Sequence, residues 1–155
     1  MTEFDDVVPA LSEALQDRKY LTLTPVQKAV LSSKLDDSDA LVSAQTGSGK
    51  TVAFGLAIAP TILGLDEQFT QPELPLALIV TPTRELAMQV KAELQWLYNI
   101  AKAQIASCVG GMDMRNERRA LERGTHIVVG TPGRLRDHIE RSSLDVKKLK
   151  AVVLD

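Results

Sequence analysis

An eight-residue stretch near position 50 contains the residue types that bind phosphate. It consists of Ala44, Gln45, Thr46, Gly47, Ser48, Gly49, Lys50 and Thr51. The glycines allow backbone conformations that turn successive N–H groups toward phosphate oxygens. Lys50 would add a positive charge at the β- and γ-phosphates, and Thr51 would offer a hydroxyl to Mg²⁺. The stretch therefore matches a slightly relaxed P-loop pattern, A-x-x-x-x-G-K-T.

The segments on either side of this stretch have the lengths of a strand and a helix. Residues 40–43 form a short, mostly apolar run, and residues 52–59 can form a buried helix. A strand, a glycine-containing loop and a helix in this order bring phosphate to the positive end of the helix. A flexible Gly/Ser turn with an exposed lysine would explain the glycines but not these flanking segments.

Composition narrows the class of protein. With 155 residues, 45% of them hydrophobic, the chain can bury one substantial core. It has no apolar run long enough to span a bilayer, and its acidic start does not resemble a signal peptide, so we expect a soluble cytoplasmic protein without a membrane partner. The single cysteine, Cys108, has no disulfide partner in the chain, and the two histidines give no metal-ligand spacing. We expect Cys108 to be a small buried residue.

Charge is distributed unevenly along the chain. The first 77 residues hold 5 Lys/Arg and 11 Asp/Glu, whereas the remaining residues hold 13 and 9, for a net charge of −2. The second half could therefore present a basic face to a polyanion. The alternative is that these charges are ordinary solvated helix faces.

Further apolar runs predict an alternation of strands and helices. The predicted strands are 40–43, 76–80, 105–109, 127–129 and 151–155, and the predicted helices include 7–17, 25–35 and 84–100, a helix carrying Arg115, Arg118, Arg119 and Arg123, and a last helix after residue 133. Residues 64–75 have little periodicity and are expected to form a surface loop. The alternation indicates an α/β fold, a mainly parallel sheet flanked by helices.

Four loops follow the carboxyl ends of these strands: 44–50, 81–84, 110–111 and 130–134. Ligands of α/β sheets bind at this edge, and each loop carries Gly, Pro or Thr at the entrance to a helix, where phosphate is attracted. Three such loops beside a P-loop are more than a small-molecule kinase needs. They favour a long polyanion as the second ligand.

Taken together, these motifs resemble the N-terminal RecA-like domain of DEAD-box ATP-dependent RNA helicases. The matching strings are Tyr20 with 24–27 (Q motif), 44–51 (motif I), 82–87 (motif Ia), 110–111 (GG pair), 131–134 (motif Ib) and 152–155, the strand leading into the D-E-A-D box. The resemblance covers nearly the whole chain. It implies a RecA-like P-loop NTPase domain over 1–155 that is incomplete at the C-terminus, with the second RecA-like domain absent.

The resemblance implies a binding site for ATP and Mg²⁺. Tyr20 would stack on adenine, Gln27 would hydrogen-bond its edge, and residues 44–51 would hold the phosphates. Lys50 and Asp155 would be catalytic, and Thr51 and Asp155 would hold the metal, Asp155 through water. Where the family usually has glycine before the aromatic residue, this chain has Lys19. Phe4 resembles the family's upstream aromatic residue, or is a stray terminal hydrophobe.

The resemblance also implies binding to the sugar-phosphate backbone of RNA without reading its sequence. The matching residues are Pro82, Thr83, Arg84, Gly110, Gly111, Thr131, Gly133 and Arg134. The alternative for the two arginines is that each pairs with a nearby acid in the first turn of its helix. The four arginines between 115 and 123 match no motif and are expected to be solvated.

The function implied is that of an ATP-dependent RNA helicase, which couples ATP hydrolysis to local duplex unwinding or RNP remodelling. The glutamate that would orient water, the S-A-T motif and the arginine fingers are not in the sequence, so we expect the fragment alone to be inactive. One alternative is a non-catalytic P-loop binding or interaction module. The other is a DNA-directed superfamily 2 helicase, which Gln27 and the T-P-G-R string disfavour together.

Overall fold

The computed structural model describes residues 4–33, 35, 38–45 and 47–155. Within this part of the chain, helices and strands alternate. They are α1 (Pro9–Asp17), α2 (Pro25–Ser32), α3 (Lys50–Leu63), β1 (Ala77–Val80), α4 (Arg84–Leu97), β2 (Ile105–Cys108), α5 (Met114–Arg123), β3 (Ile127–Gly130), α6 (Pro132–Glu140) and β4 (Ala151–Leu154). The predicted α/β class is confirmed.

The four strands form one parallel sheet in the order β2-β3-β1-β4. β1 is central and pairs with β3 from Ala77 opposite Ile127, and with β4 from Ala77 opposite Ala151. Each strand connects to the next in the chain through a helix, and two of these connections pass over a neighbouring strand. All four carboxyl ends therefore lie at the same edge of the sheet.

Alternate residues of the strands face two different hydrophobic clusters. Ala77 and Ile79 of β1 belong to the large cluster with buried residues of α1, α3 and α4. Leu78 of the same strand belongs to a smaller cluster with Leu121 of α5 and Leu135 of α6. This two-residue alternation places helices on both faces of β1 and β3, which is why these two strands are apolar throughout, whereas Val152 and Leu154 of β4 are exposed.

Helices α3 and α4 pack closely because of a glycine. A Cβ at Gly55 would lie 2.7 Å from Cδ2 of Leu97, and the Tyr98 hydroxyl donates to the Gly55 carbonyl at 2.5 Å. Burial raises the pKa of Tyr98. Tyr98 is completely buried in the core, and Trp96 is partly buried at its rim.

The strand predicted at residues 40–43 is wrong. These residues have no regular secondary structure, and Leu41 is 101% exposed. A four-residue strand needs a paired neighbour and a buried face, and this segment has neither among the described residues. Helix α3, in contrast, is longer than predicted and extends from Lys50 to Leu63.

Residues 64–75 form the expected irregular loop, but one side chain anchors it. Phe69 packs against Tyr98 and His126, and its backbone N–H donates to the Ala101 carbonyl at 2.8 Å.

Phe4, near the amino-terminal end of the described residues, is buried in the large cluster and is therefore not a stray terminal hydrophobe. No helix in the described ranges is long and apolar enough to cross a bilayer.

Helix α1 ends in a Schellman motif that puts a lysine where glycine is usual. The N–H of Lys19 donates to the Gln16 carbonyl at 2.9 Å, and the N–H of Tyr20 donates to the Leu15 carbonyl at 3.0 Å. Lys19 has a φ of 61°, in the left-handed region that favours glycine. The chain therefore keeps a glycine-like turn before Tyr20 although it carries a side chain there.

Candidate functional site

The strand order sets the sequence of loops along the carboxyl edge. The Gly110–Gly111 pair follows β2, residues 131–134 follow β3, residues 81–84 follow β1, and Asp155 follows β4. Neighbouring strands in a sheet are about 4.8 Å apart, so the outermost of these loops begin roughly 14 Å from each other. The structure thus gathers loops that lie more than 70 residues apart in the sequence.

The P-loop backbone contains two left-handed glycines. Gly47 and Gly49 have φ values of 81° and 80°, and Gly49 is the N-cap of α3. The side chain of Ser48 lies between them, and its Oγ atom is buried without a hydrogen-bond partner in the described structure. Thr46 lies outside the described residues. The loop offers an unsatisfied hydroxyl at a helix N-terminus, where anions bind.

Lys50 connects the P-loop to the end of β4. Its Nζ atom lies 2.7 Å from Oδ1 of Asp155; the lysine side chain is 45% exposed and the aspartate side chain only 2%. The backbone N–H of Asp155 also donates to the Val80 carbonyl at 2.9 Å, which continues the β1–β4 pairing. Thr51, the next residue of α3, is partly buried. The sheet therefore holds an acid against the P-loop lysine.

Gln27 connects helix α2 to the P-loop. Thr24 and Gln27 form a capping box, in which the Thr24 N–H donates to Oε1 of Gln27 at 2.9 Å. The Gln27 amide Nε2 donates to the Gly49 carbonyl at 3.2 Å, and the residue is almost fully buried. A Cβ at Gly49 would lie 2.5 Å from this nitrogen, so the close approach requires glycine. Gln27 is fixed in orientation from both sides.

Tyr20 packs on Trp96. The ring centroids are 5.7 Å apart, and the guanidinium of Arg18 lies 4.9 Å from the Trp96 ring centroid. Partial burial raises the pKa of Tyr20, assisted by Glu93 and opposed by Arg18. Trp96 thus supports one side of the Tyr20 ring, a role that sequence spacing could not reveal.

Arg84 crosses from the β1 loop to the glycine pair. Its Nη1 donates to the Gly110 carbonyl at 3.4 Å, and a Cβ at Gly111, whose φ is 85°, would collide with the same nitrogen. Thr83 caps α4 by accepting the Leu86 N–H at 3.2 Å. Pro82, Thr83 and Arg84 are exposed, as are both glycines. These residues form one open surface.

The Arg134 side chain is less exposed than that of Arg84. Nη1 donates to the Met112 carbonyl at 3.0 Å and to Oε1 of Glu117 at 2.9 Å, and its side chain is only 15% exposed. The pairing with an acid that the sequence left as an alternative is therefore present for Arg134. Thr131 is the N-cap of α6 but its side chain makes no capping hydrogen bond, and Gly133 is exposed in the first turn.

Glu117 is the residue that the sequence interpretation missed. Its side chain is 6% exposed and accepts three hydrogen bonds, from the Val109 N–H at 2.8 Å, from Arg134 and from Nε2 of His138 at 2.9 Å. Nδ1 of His138 lies 2.7 Å from Oγ of Ser143. The available signal was that Glu117 precedes the buried Leu121 by four residues and so shares its helix face. The four arginines of α5 are exposed, as predicted.

Cys108 lies beside this group, so that donor atoms of Cys108, Glu117 and His138 fall within 4.8 Å of one another. Sequence spacing gave no indication of this proximity. Burial and Glu117 raise the pKa of the thiol to about 12, opposed by Arg134 and Lys91. A protonated thiol and a carboxylate already bound by a guanidinium are poor metal ligands. The group is better explained as a hydrogen-bonded network, with Cys108 buried as expected.

Comparison with known proteins agrees with this arrangement. The family profile described as DEAD/DEAH box helicase matches residues 24–155. The chain is 39% identical over 155 residues to the ATP-dependent rRNA helicase RRP3 of Lodderomyces elongisporus, covering 99% of this chain and 29% of that protein. It is 38% identical over 146 residues to the DEAD-box ATP-dependent RNA helicase CshA of Bacillus cereus, covering 94% of this chain and 27% of that protein.

Solved structures show the same fold. The yeast DEAD-box splicing factor Prp28 superposes with a TM-score of 0.88 at 30% identity, covering 100% of this chain and 38% of that one. A hypothetical ATP-dependent RNA helicase from Sulfolobus tokodaii superposes with a TM-score of 0.81 at 29% identity, covering 94% and 40%. The predicted RecA-like fold is confirmed. The chain spans less than a third of the length of the two curated relatives described.

Proposed function

Because the chain belongs to the DEAD/DEAH box helicase family, we propose that it forms the ATP- and RNA-binding part of an ATP-dependent RNA helicase. The protein would couple ATP hydrolysis to local unwinding of RNA duplexes or remodelling of RNA–protein complexes. Residues 1–155 would be part of the N-terminal RecA-like domain, and a second RecA-like domain would lie in the rest of the protein. The cytoplasmic location expected from the sequence stays a prediction.

The nucleotide would occupy the end of the edge that carries the P-loop. We assign its phosphates to the backbone and side chains of 44–51, where the unpartnered Ser48 hydroxyl and the left-handed glycines fit an anion. Adenine would lie against Tyr20 and the Gln27 amide, whose remaining donor and acceptor capacity suits a base edge. The bond from Gln27 to Gly49 would couple base recognition to the P-loop.

Lys50 and Asp155 would act on the reacting phosphates. In the described structure they pair with each other at 2.7 Å, so the nucleotide would separate them and draw Lys50 to the β- and γ-phosphates. Thr51 and Asp155 supply the oxygen ligands that Mg²⁺ prefers, and the ion would neutralise charge on the phosphates. This pair is the observation that carries the proposal, because it brings the P-loop to the carboxyl edge of the sheet.

RNA would lie along the rest of the same edge. The proposed contacts are Pro82, Thr83, Arg84, Gly110, Gly111, Thr131, Gly133 and Arg134. Most of these residues are exposed. The Thr131 side chain makes no capping hydrogen bond, so its hydroxyl and the backbone N–H groups in the first turns of α4 and α6 suit phosphate oxygens. Such contacts hold a backbone without reading bases, so we expect little sequence preference.

The test is Lys50→Ala in the full-length protein, assayed for phosphate release with and without RNA. We expect RNA-dependent release to fall at least a hundredfold, because the P-loop lysine stabilises charge that develops on the transferred phosphoryl group. Lys147→Ala is the matched control, since it removes an exposed lysine whose partner is Asp145. Full activity of the Lys50 variant would refute the proposed catalytic role.

Two further measurements separate the alternatives. A non-catalytic P-loop module would bind nucleotide in calorimetric titration but release no phosphate in the wild-type protein. A DNA-directed helicase would be stimulated by single-stranded DNA at least as strongly as by RNA. We expect stimulation by RNA alone, because Gln27 and the T-P-G-R string occur together in this chain.

A further inference from the structure

We propose that Glu117 is a positioning residue for RNA binding, which holds the Gly110–Gly111 loop and the 131–134 loop in one fixed arrangement. The proposal deepens the RNA-binding role given above and rests on it. Glu117 lies on α5, outside both loops. The residue matches none of the sequence motifs, so the geometry alone points to this role.

The three hydrogen bonds to Glu117 come from two different strand–helix connections. Oε2 accepts from the N–H of Val109, the residue directly before the glycine pair. Oε1 accepts from Arg134 and from His138, both on α6. One carboxylate therefore fixes the end of the β2 strand relative to the first turns of α6.

The Glu117 carboxylate also fixes the position of the Arg134 guanidinium. Nη1 has two N–H groups, and the bonds to the Met112 carbonyl and to Glu117 use both. A phosphate would therefore be bound by Nη2 and Nε, presented in one orientation. An arginine held this way loses less side-chain entropy when it binds than a free one does.

Arg84 supports the same glycine loop from the other side. Its Nη1 donates to the Gly110 carbonyl, while Glu117 accepts from Val109 one residue earlier. The Gly110–Gly111 loop is thus held between a cation on α4 and an anion on α5. Loss of Glu117 would leave the Val109 N–H and the Arg134 guanidinium partly buried without this acceptor, so both would have to move.

The test uses Glu117→Ala and Glu117→Gln in the full-length protein, with fluorescence anisotropy of a labelled single-stranded RNA over a series of salt concentrations. We expect Glu117→Ala to raise the Kd for RNA roughly tenfold, as one charge-assisted contact is lost. The slope of log Kd against log salt should fall in magnitude by about 0.7, the value for one phosphate contact to a single strand. The Kd for nucleotide should not change.

Glu117→Gln keeps one oxygen that can accept from Arg134 and His138, but its amide N–H₂ would face the Val109 N–H and cannot accept from it. We expect the wild-type salt slope, because the guanidinium stays in place, and a loss of RNA affinity smaller than in Glu117→Ala, because only the bond to the Gly110–Gly111 side is lost. Glu122→Ala, on the exposed face of the same helix, is the control and should match the wild type. If Glu117→Ala does not fold, the glutamine variant carries the test, and either wild-type RNA affinity in it or an equal loss of nucleotide affinity overturns the proposal.

A purely structural role predicts a different pattern. Nucleotide and RNA affinity would then fall together in Glu117→Ala with no change in salt slope, which overturns the proposal. If the wild-type protein binds nucleotide but no RNA, both this proposal and the RNA part of the proposed function fail. If Lys50→Ala stays active while Glu117→Ala shows the expected RNA defect, only the catalytic assignment fails.

Discussion

The two ends of the carboxyl edge are built differently. At the P-loop end, residues 40–43 are exposed and form no strand, and a Cβ at Gly47 would meet no atom of the described residues within 4 Å. The described polar contacts of this loop include the Gln27 bond to Gly49 and the Lys50–Asp155 pair. At the β2–β3 end, a buried carboxylate accepts three hydrogen bonds that link two loops and two helices.

This difference follows the kind of ligand proposed for each end. A nucleotide triphosphate brings its own charge and oxygens, so a P-loop can leave donors unsatisfied until the ligand supplies partners. A single RNA strand makes many weak contacts, and each contributes only if the protein groups are already in place. We infer that the bound nucleotide supplies the missing hydrogen-bond partners at the P-loop end, whereas the β2–β3 end is already arranged for RNA before RNA binds.

Paired glycine substitutions give the largest expected contrast between the two ends. A Cβ at Gly130 would lie 2.5 Å from the Cys108 carbonyl oxygen and 2.8 Å from Cδ2 of Leu135. Because backbone must move, Gly130→Ala should lower the free energy of unfolding by about 2–3 kcal/mol. Gly47→Ala adds no clash with the described residues and only a strained φ of 81°, so it should cost about 1 kcal/mol. Urea denaturation of the full-length protein measures both.

Gly133→Ala is the control for this pair, since Gly133 follows the same strand but has open space around its Cα and no positive φ. We expect it to change stability by less than about 0.5 kcal/mol. Equal losses for Gly130→Ala and Gly47→Ala would contradict the view that one end is packed and the other open. The comparison is independent of any ligand, so it tests the architecture rather than the function.

His126 lies at the opposite, amino edge of the sheet, directly before β3, and makes the stability of the β2–β3 pairing depend on pH. Its Nδ1 accepts from the Gln104 N–H at 2.9 Å and its Nε2 lies 2.9 Å from the Thr70 carbonyl, which ties β2, β3 and the 64–75 loop together. Burial lowers the pKa of His126 from its usual 6.5, opposed by the bond to Thr70. The unfolded chain therefore takes up the proton first as pH falls. Stability contributed by the neutral ring is present above pH 6.5 and is lost below it.

The expected result is a fall in the free energy of unfolding below pH 6.5, with a slope from this group of at most about 1.4 kcal/mol per pH unit. His126→Gln removes this titration, so the difference between the two pH curves isolates it from the titration of other groups. The measurement is urea denaturation between pH 7.5 and 5.5. Parallel curves for the two proteins would show that burial of the neutral His126 ring does not contribute to stability.

Much of this architecture was predictable from local sequence. Apolar runs such as 77–80 and 127–130 identify buried strands because both faces are covered, and helix N-caps such as Thr24 and Thr83 mark where helices begin. Residues 40–43 were predicted as a strand on the same kind of signal. That prediction failed because strand formation depends on a pairing partner, which a local pattern does not contain.

The proposed site residues were identifiable as motifs, but their interactions were not. Arg84 and Arg134 look equivalent in sequence, yet one is exposed and the other is held by Glu117. Glu117 is 17 residues from Arg134. It lies on α5, which connects β2 to β3, whereas Arg134 lies on α6, which connects β3 to β4. Only the sheet order brings them together, so the buried network at the β2–β3 end required the structure.

Lys19 offers the smallest and most specific test, at the P-loop end. Its φ of 61° costs an L-residue about 1 kcal/mol, and the turn it forms leads directly into Tyr20. Lys19→Gly should raise the free energy of unfolding by about 0.5 kcal/mol, since relief of strain exceeds the greater entropy of the unfolded glycine. Lys28→Gly, inside α2, should do the opposite by about 1 kcal/mol. Because the Schellman hydrogen bonds already fix the backbone before Tyr20, nucleotide affinity should stay unchanged in Lys19→Gly. A large change in affinity in either direction would mean that the Lys19 side chain helps to set the geometry of the P-loop end before the nucleotide binds.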